Sequence, residues 1–276
     1  MGRKLFCDIS PTCYKISVWK CCRIREIKDF FSREKFAAQK SSDLLPNVVK
    51  GHTSVLVRRL AGVDLRLQEN KVTNIALAAA KINGIIVRPG ETFSFWRTVG
   101  KTAEKQGYKE GLVIHRGGKL GSGIGGGLCQ MANMVHWLVL NSPLTVTELH
   151  HHSDALFPDE RRRVPFGTGT SVLNNYIDYR FKNTTDQTVQ LVTWIEDGEL
   201  CGELRSEHQY PCRYKLYEED NRFVEENGKW YRLSKVWRSV IDRATGEELR
   251  RELILDNHSL VMYDPVLIPP EQISRE

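Results

Sequence analysis

"RGGKLGSGIGGGLCQMANMVHWLVLNSPLTVTELHHH", residues 116–152, is the stretch that decides the fold. Eight of the 17 residues from Gly111 to Gly127 are glycine, and they lead directly into Cys129. Apolar residues then recur at helical spacing until an Asn-Ser-Pro sequence, which predicts a helix over 129–140. A glycine-rich turn, a cysteine and an apolar helix therefore follow one another without a break.

The segments before this helix predict further helix and strand. Periodic apolar residues predict a helix over 70–83, with Asn70 as its N-cap and an Asn-Gly pair at its end. Two short strands are expected within 84–95, split by a Pro-Gly turn, and another strand over 111–115. The first half of the chain is thus expected to mix helices with short strands.

Strands dominate the remainder. The β-rich segment 144–152 alternates so that His150 and His152 share one side. Beyond residue 167, apolar alternating segments are broken by Asn-Gly, Asp-Gly and Thr-Gly pairs, which are typical of hairpins. The predicted fold is α+β, a mixed core with a cysteine at a helix N-terminus followed by a β-rich antiparallel C-terminal region. Three parts are expected: an N-terminal arm and linker at 1–50, a core at 51–166 and the β-rich region at 167–276.

The net charge of +6 belongs to the N-terminal arm. Residues 1–50 hold 11 Lys/Arg and 5 Asp/Glu, whereas the remaining 226 residues hold 29 of each. A neutral body offers little electrostatic attraction for nucleic acid, so no nucleic-acid partner is predicted. The sequence predicts an amphipathic helix over 18–36, which either contacts anionic lipid at a membrane surface or packs on the body. Residues 41–50 are expected to form a linker. The apolar side of that helix holds Ile24, Ile27, Phe30 and Phe31.

The sequence also predicts the cellular compartment of the protein. No apolar run is long enough to span a membrane, and the N-terminus lacks the apolar block of a secretory signal. The expected location is cytoplasmic, with peripheral membrane contact as the alternative. The seven cysteines are odd in number and lack Cys-x-x-Cys spacing, so reduced thiols are predicted.

Cys129 is a candidate nucleophile. In the first turn of a helix, the helix dipole and unpaired backbone N–H groups can lower a cysteine pKa from ~8.5 to roughly 3.5–7.5. The same N–H groups can stabilise an oxyanion, and Gln130 can add a hydrogen bond. His150 and His152 are candidate bases, because the helix returns the chain alongside its own start. A buried cysteine that only packs is the structural alternative.

Three other interpretations of this stretch stay open. The sequence GSGIGG at 121–126 fits the Gly-x-Gly-x-x-Gly pattern of a dinucleotide turn, with Glu148 placed to bind a ribose. The two histidines with Cys129 or Asp154 form a candidate metal-ligand set, although neither a metal nor another cofactor is predicted. A non-catalytic module would hold a carboxylate or phosphate with bare backbone N–H groups. The residues proposed to contact such a ligand are Gly125, Gly126, Gly127 and Ser94.

The segment from Gln68 to Trp194 resembles the VanW family. The resemblance rests on a Pro-Gly-Glu-x-Phe-Ser-Phe motif at 89–95, a Gly-Gly-Gly-x-Cys-Gln motif at 125–130, and paired histidines close to Glu148. The family takes its name from an accessory protein of the B-type vancomycin-resistance cluster. Membership implies a role in glycopeptide resistance or cell-envelope (peptidoglycan) metabolism.

The resemblance and the residue pattern together give a working hypothesis. It is a Cys–His acyl-transfer or hydrolase-like site that acts on a cell-wall precursor or a similar peptide-like molecule. Where the family tends to have an Asp in a Gly-x-Asp-Ala-Thr-Val motif, this chain has Gly169. If that Asp orients a catalytic histidine in the family, this chain must use another acid or have weakened activity. The candidates for that role are Glu148 and Asp154.

Overall fold

A mixed helix and strand core precedes a sheet of long antiparallel strands. The structure is a computed structural model that describes residues 5–57, 64–114, 120–151, 154–156, 158, 163–173 and 176–274. Its α-helices are α1 (Pro11–Phe31), α2 (Leu65–Ile82), α3 (Phe95–Val99) and α4 (Cys129–Leu140). Its strands are β1 (Lys35–Phe36), β2 (Asn47–Val55), β3 (Ile85–Val87), β4 (Glu91–Ser94), β5 (Glu110–Ile114), β6 (Leu120–Ile124), β7 (Thr145–Glu148), β8 (Asp154–Ala155), β9 (Arg180–Lys182), β10 (Val189–Glu196), β11 (Glu199–Ser206), β12 (Cys212–Glu226), β13 (Lys229–Asp242) and β14 (Glu248–Val261). The predicted α+β class is confirmed.

Two four-stranded sheets form the core, in the orders β1-β4-β9-β7 and β2-β11-β10-β3. Each sheet combines strands from both sides of residue 167, where a domain boundary is predicted. Helix α2 packs on β10, and α4 packs on β2 and β11. Strands β4 and β7 both pair with β9, so Ser94 and Glu148 are brought to one sheet although they are far apart in sequence.

Helix α4 lies at the centre of this core. It begins at Cys129 and ends at Leu140, as the sequence predicts, and nine of its 12 residues are buried. A helix that is apolar on all sides is stable only when it is covered on all sides. Even His136 is buried, with Nδ1 3.2 Å from the Tyr179 hydroxyl, and burial together with the nearby His151 lowers the pKa of His136 to about 3.

The predicted start of α2 is wrong. The helix begins at Leu65, where the side chain of Asp64 accepts a hydrogen bond from the backbone N–H of Arg66 at 2.9 Å. Asn70 lies inside the helix instead of capping it, and its side chain donates to the carbonyl oxygen of Glu110 on β5. The early turns of α2 bury polar side chains, Gln68 and Lys71, so apolar periodicity detects only the later part.

Two other boundaries also differ from prediction. Residues 47–50, expected in a linker, are the first part of β2, which pairs antiparallel with β11. The amphipathic N-terminal helix spans 11–31 and does not reach residue 36. Within the described ranges, no helix is both long enough and apolar enough to cross a membrane.

The C-terminal hairpins are confirmed. Asp197-Gly198 and Asn227-Gly228 both adopt positive φ, as tight hairpin turns require, and they connect β10 to β11 and β12 to β13. The C-terminal sheet has the order β12-β13-β14-β8. Strand β8, which closely follows the histidines, pairs parallel with the end of β14. The segment after the candidate site is therefore held by the C-terminal sheet.

Candidate functional site

Cys129 is the first residue of α4 and follows a turn in which Gly125 and Gly127 have positive φ. The residue packs against the hydrophobic core, and its thiol donates to the carbonyl oxygen of Val172 with Sγ and O 3.7 Å apart. Burial raises the pKa of the Cys129 thiol, and hydrogen bonds with the backbone only partly oppose this effect. The lowered pKa expected at a helix N-terminus is therefore wrong, because desolvation of the sulfur outweighs the helix dipole.

His150 and Glu148 form a carboxylate–histidine pair. The His150 Nε2 atom lies 2.9 Å from Glu148 Oε1, and the His150 side chain is 40% exposed. A carboxylate beside Nε2 favours the tautomer that carries its proton there, which leaves the Nδ1 lone pair free to accept a proton. Of the two acids predicted to orient the base, Glu148 is the one that contacts His150.

Glu148 is fixed by three further groups. Arg25 on α1 donates to both carboxylate oxygens at 2.7 and 2.6 Å, Arg180 Nε lies 3.4 Å away, and the backbone N–H of Asp178 donates at 3.2 Å. Burial alone would raise the pKa of Glu148, but the hydrogen bonds from Arg25 and His150 outweigh it and lower that pKa below its usual range. Glu148 is thus an ionised carboxylate at neutral pH, and its orientation is set from several directions.

Residues 170–172 connect His150 with Cys129. The backbone N–H of Ser171 donates to the His150 carbonyl at 2.7 Å, and the carbonyl of the next residue, Val172, accepts from the Cys129 thiol. Among the described residues, no hydrogen bond joins the Cys129 thiol to the His150 ring. A proton can pass between them only after the thiol turns away from Val172.

Gln130 fastens α4 to the neighbouring sheet. Its side-chain Nε2 donates to the Ser54 hydroxyl at 2.9 Å and to the carbonyl oxygen of Val55 at 2.8 Å. Both amide hydrogens are used in these contacts. The role predicted for Gln130 at an oxyanion stays a prediction, and it would require one of these bonds to break.

The glycines before Cys129 allow the chain to pack closely against itself. A Cβ atom at Gly126 would lie 2.2 Å from the carbonyl oxygen of Gly111, and one at Gly127 would lie 2.1 Å from Cγ of the buried Lys71. A Cβ atom at Gly125 would meet Thr102. The space left by the missing side chains is therefore filled by protein, and ligand contact at these glycines stays a prediction.

The backbone around these glycines does not have the arrangement that a dinucleotide site requires. Gly121 and Gly123 lie within β6, which forms an antiparallel two-stranded hairpin with β5. A dinucleotide turn joins a strand of a parallel sheet to a helix, with the first glycine in the turn itself. Here only the final glycines of the stretch approach α4.

Ser94 belongs to a buried polar cluster around Asp178. Its hydroxyl donates to Asp178 Oδ2 at 2.6 Å and also caps the short helix α3. The fully buried Asp178 carboxylate accepts in addition from the backbone N–H groups of Trp96 and Tyr179, and from Arg180 Nε at 2.7 Å. Sequence reasoning missed Asp178, since an Asp between apolar residues carries no local signal of burial. The ligand contact predicted for Ser94 stays a prediction.

Two candidates remain, Asp154 and His152. Asp154 lies on β8, where it pairs with Leu260 of the C-terminal sheet. His152 lies outside the described residues. Within the part of the chain that the structure describes, no three His, Cys, Asp or Glu side chains form a metal-ligand group.

Helix α1 is attached to the site by ion pairs. None of its residues is buried, but Arg25 pairs with Glu148, and Asp29 receives two hydrogen bonds of 2.7 Å from Arg180. The arm that the sequence marks as basic thus contributes directly to the surroundings of His150. Nothing in the local sequence indicates which body residues these charges meet.

Replacing Arg25 with alanine is expected to loosen α1 while the core stays folded. Losing one partner of this half-buried pair should cost about 2 kcal/mol, between the values for exposed and buried pairs. Amide hydrogen exchange within α1 should then accelerate about thirtyfold, with little change in α4. Arg23→Ala is the matched control, because Arg23 pairs with Glu26 of the same helix. Equal exchange in the two variants would contradict this account.

Comparison of the sequence with known proteins identifies its family. A family model described as "VanW like protein" matches residues 70–205. The chain is 34% identical to the Vancomycin B-type resistance protein VanW of Enterococcus faecalis (strain ATCC 700802 / V583), over 79% of this chain and 79% of that protein. The chain belongs to the VanW family.

A second relative matches a shorter segment. The Uncharacterized protein YoaR of Bacillus subtilis (strain 168) is 33% identical over 42% of this chain and 36% of that protein. No solved structure matches the chain. The family model covers Ser94, Cys129, Glu148, His150 and Asp178, but it leaves out α1 and the long strands β12, β13 and β14.

Proposed function

We propose that this protein acts in glycopeptide resistance or cell-envelope metabolism, as a Cys–His acyl-transfer or hydrolase-like enzyme. The role in resistance is suggested by the name of its Enterococcus faecalis relative. The chemistry is suggested by one observation, the His150–Glu148 pair at 2.9 Å with the histidine partly exposed. The proposed substrate is an amide or ester of a peptide-like cell-wall precursor.

The proposed reaction uses His150 as a general base. Its Nδ1 takes the proton of the Cys129 thiol, and Sγ forms a bond to the substrate carbonyl carbon. When the tetrahedral intermediate collapses, the bond to the leaving group breaks and the leaving group takes the proton from His150. Water, or an acceptor amine or hydroxyl, then cleaves the thioester and restores the thiol.

Charge on the intermediate would be stabilised at the start of α4, where the first backbone N–H groups of a helix lack intrahelical partners. The N–H of Gln130 is already donated to the carbonyl oxygen of Gly127 at 3.1 Å. The donors for an oxyanion are thus the other N–H groups of the first turn. Because Cys129 is protonated and partly buried at rest, with its thiol bonded to Val172, substrate binding must move the thiol toward His150.

A second candidate is a non-catalytic binding module. The burial of the Cys129 thiol and its bond to Val172 favour this alternative, because a packing cysteine needs no base. In that case the Glu148–His150 pair would hold a polar group of the ligand instead of moving a proton.

Acylation of Cys129 separates the two candidates. The enzyme should form a thioester at Cys129 when treated with 4-nitrophenyl acetate, detected by peptide mass spectrometry after an acid quench. His150→Ala should slow acylation about a hundredfold, which is a common contribution of a general base, whereas Cys212→Ser should have no effect. If no thioester forms and Cys129→Ser binds a muramyl peptide as tightly as the native chain, the binding module is the correct account.

A further inference from the structure

Helix α1 exposes an apolar surface that no described part of the chain covers. Val18, Cys22, Arg25 and Asp29 recur at helical spacing and face the body, all of them half-buried. The other side carries Trp19, Phe30 and Phe31, whose side chains are 64%, 82% and 78% exposed. Exposed apolar side chains also occur before the helix, at Leu5, Phe6 and Ile9. We call this apolar side of α1, with those three residues, the outer face.

Positive charge accompanies the outer face. The exposed charged residues of α1 are four cations and one carboxylate, since Arg25 and Asp29 are paired with the body. These are Lys15, Lys20, Arg23, Lys28 and Glu26. A surface helix that combines large apolar and aromatic side chains with excess lysine and arginine is typical of segments that lie in the interface of an anionic membrane.

We propose that the outer face of α1 docks onto an anionic lipid surface. The apolar side chains would enter the boundary between headgroups and acyl chains, while Lys15, Lys20 and Lys28 contact lipid phosphates. A protein partner fits less well, because the long cationic side chains are interspersed with the apolar ones along the helix. This inference is independent of the proposed enzymatic chemistry.

Docking of α1 on a membrane would also affect the candidate site, because ion pairs join the helix to it. Arg25 contacts Glu148 from the inner side of the same helix whose outer face would meet lipid. An α-helix with its side chains is about 10 Å across, so docking would hold the Glu148–His150 pair roughly one helix diameter from the membrane surface. Through Arg25 and Glu148, the position of α1 on the membrane would thus affect the orientation of the His150 ring.

Vesicle flotation tests the docking with the full chain. The protein should bind vesicles made of phosphatidylglycerol and phosphatidylcholine in equal parts, and bind pure phosphatidylcholine vesicles more weakly. The double variant Phe30→Ser/Phe31→Ser should lose at least about tenfold in partitioning, because both rings would leave the apolar phase. Added salt should weaken binding of the native chain to the anionic vesicles.

A matched control uses apolar side chains exposed elsewhere on the protein. Leu249→Ser/Val266→Ser changes two such residues outside α1 and should bind as the native chain does. Circular dichroism and thermal melting would confirm that both double variants fold, as expected for exposed positions. Absence of binding to the anionic vesicles, or full binding by the Phe30→Ser/Phe31→Ser variant, would overturn the proposal. So would a native dimer that the α1 variant converts to monomer, since the outer face would then be a self-association surface.

Discussion

Asp178→Ala is expected to lower the free energy of unfolding by about 4 kcal/mol, as measured by urea denaturation. The Asp178 carboxylate is fully buried and accepts from the Ser94 hydroxyl, two backbone N–H groups and Arg180. Its removal leaves these donors without their acceptor and takes a counter-charge from Arg180, whose side chain is 12% exposed. Asp264→Ala, which removes an exposed turn-capping carboxylate, is the control and should cost about 1 kcal/mol.

A double-mutant cycle tests whether Ser94 acts through Asp178. Ser94→Ala alone should cost about 1–2 kcal/mol, and most of this cost should disappear in the Asp178→Ala background. Additive effects of the two changes would contradict a shared structural cluster. They would then favour a separate role for Ser94, such as the ligand contact that its motif suggests.

Gly126→Ala is expected to destabilise the protein by about 3 kcal/mol, at the upper end for overpacking. The added methyl group would lie 2.2 Å from the oxygen and 2.3 Å from the carbon of the Gly111 carbonyl. This obstacle is backbone, so it cannot rotate away, and the β5–β6 hairpin must separate from the start of α4. The shift in the urea midpoint gives the magnitude.

Gly51→Ala is the control for this prediction. A Cβ atom at Gly51 on β2 would meet only Cγ of Glu203 at 3.9 Å, which is an ordinary contact. That variant should be stable to within about 0.5 kcal/mol of the native chain. A comparable loss in both variants would show that glycine is replaced poorly at any position, and that the close contact of Gly126 with Gly111 is not the cause.

Local patterns predict the parts of the fold that depend on neighbours in sequence. The apolar run after Cys129 and the Asn-Ser-Pro sequence at its end fix α4 to the residue. The Pro-Gly turn between β3 and β4 and the Asn-Gly turn between β12 and β13 are likewise specified by residues that tolerate those backbone angles. These features require no information from distant parts of the chain.

The features missed depend on distant partners. Strand β2 contains a glycine and several polar residues, and it is a strand because it pairs antiparallel with β11. The contact between Arg25 and Glu148 joins residues 123 positions apart, so a basic helix and an isolated acid do not reveal it. For the same reason, the sequence indicates that the glycines before Cys129 permit close packing of the chain. It does not indicate that Gly111 and Lys71 are the residues that pack against them.

The candidate site was predicted in part. Glu148 is one of the two acids that the sequence offers to orient the histidine, and in the structure its carboxylate lies 2.9 Å from the His150 ring. The raised pKa of the Cys129 thiol is not predictable from the sequence, because it comes from burial by residues that are distant along the chain. A helix N-terminus lowers a thiol pKa only when the sulfur is also hydrated or charge-paired.

The rate of Cys129 alkylation by iodoacetamide against pH is the most direct test of the central claim, that Cys129 rests as a protonated thiol and is not activated before substrate binds. The measurement uses a chain in which Cys129 is the only cysteine, with the buried Cys201 replaced by alanine and the other five cysteines by serine. Because burial raises the pKa of the thiol, the inflection should lie above ~8.5, and His150→Ala should leave it in place, since the resting thiol contacts Val172 and not His150. An inflection well below ~8.5 would mean a preformed thiolate, and a shift of the inflection in His150→Ala would mean that His150 already contacts the thiol before substrate binds; either result would contradict the account.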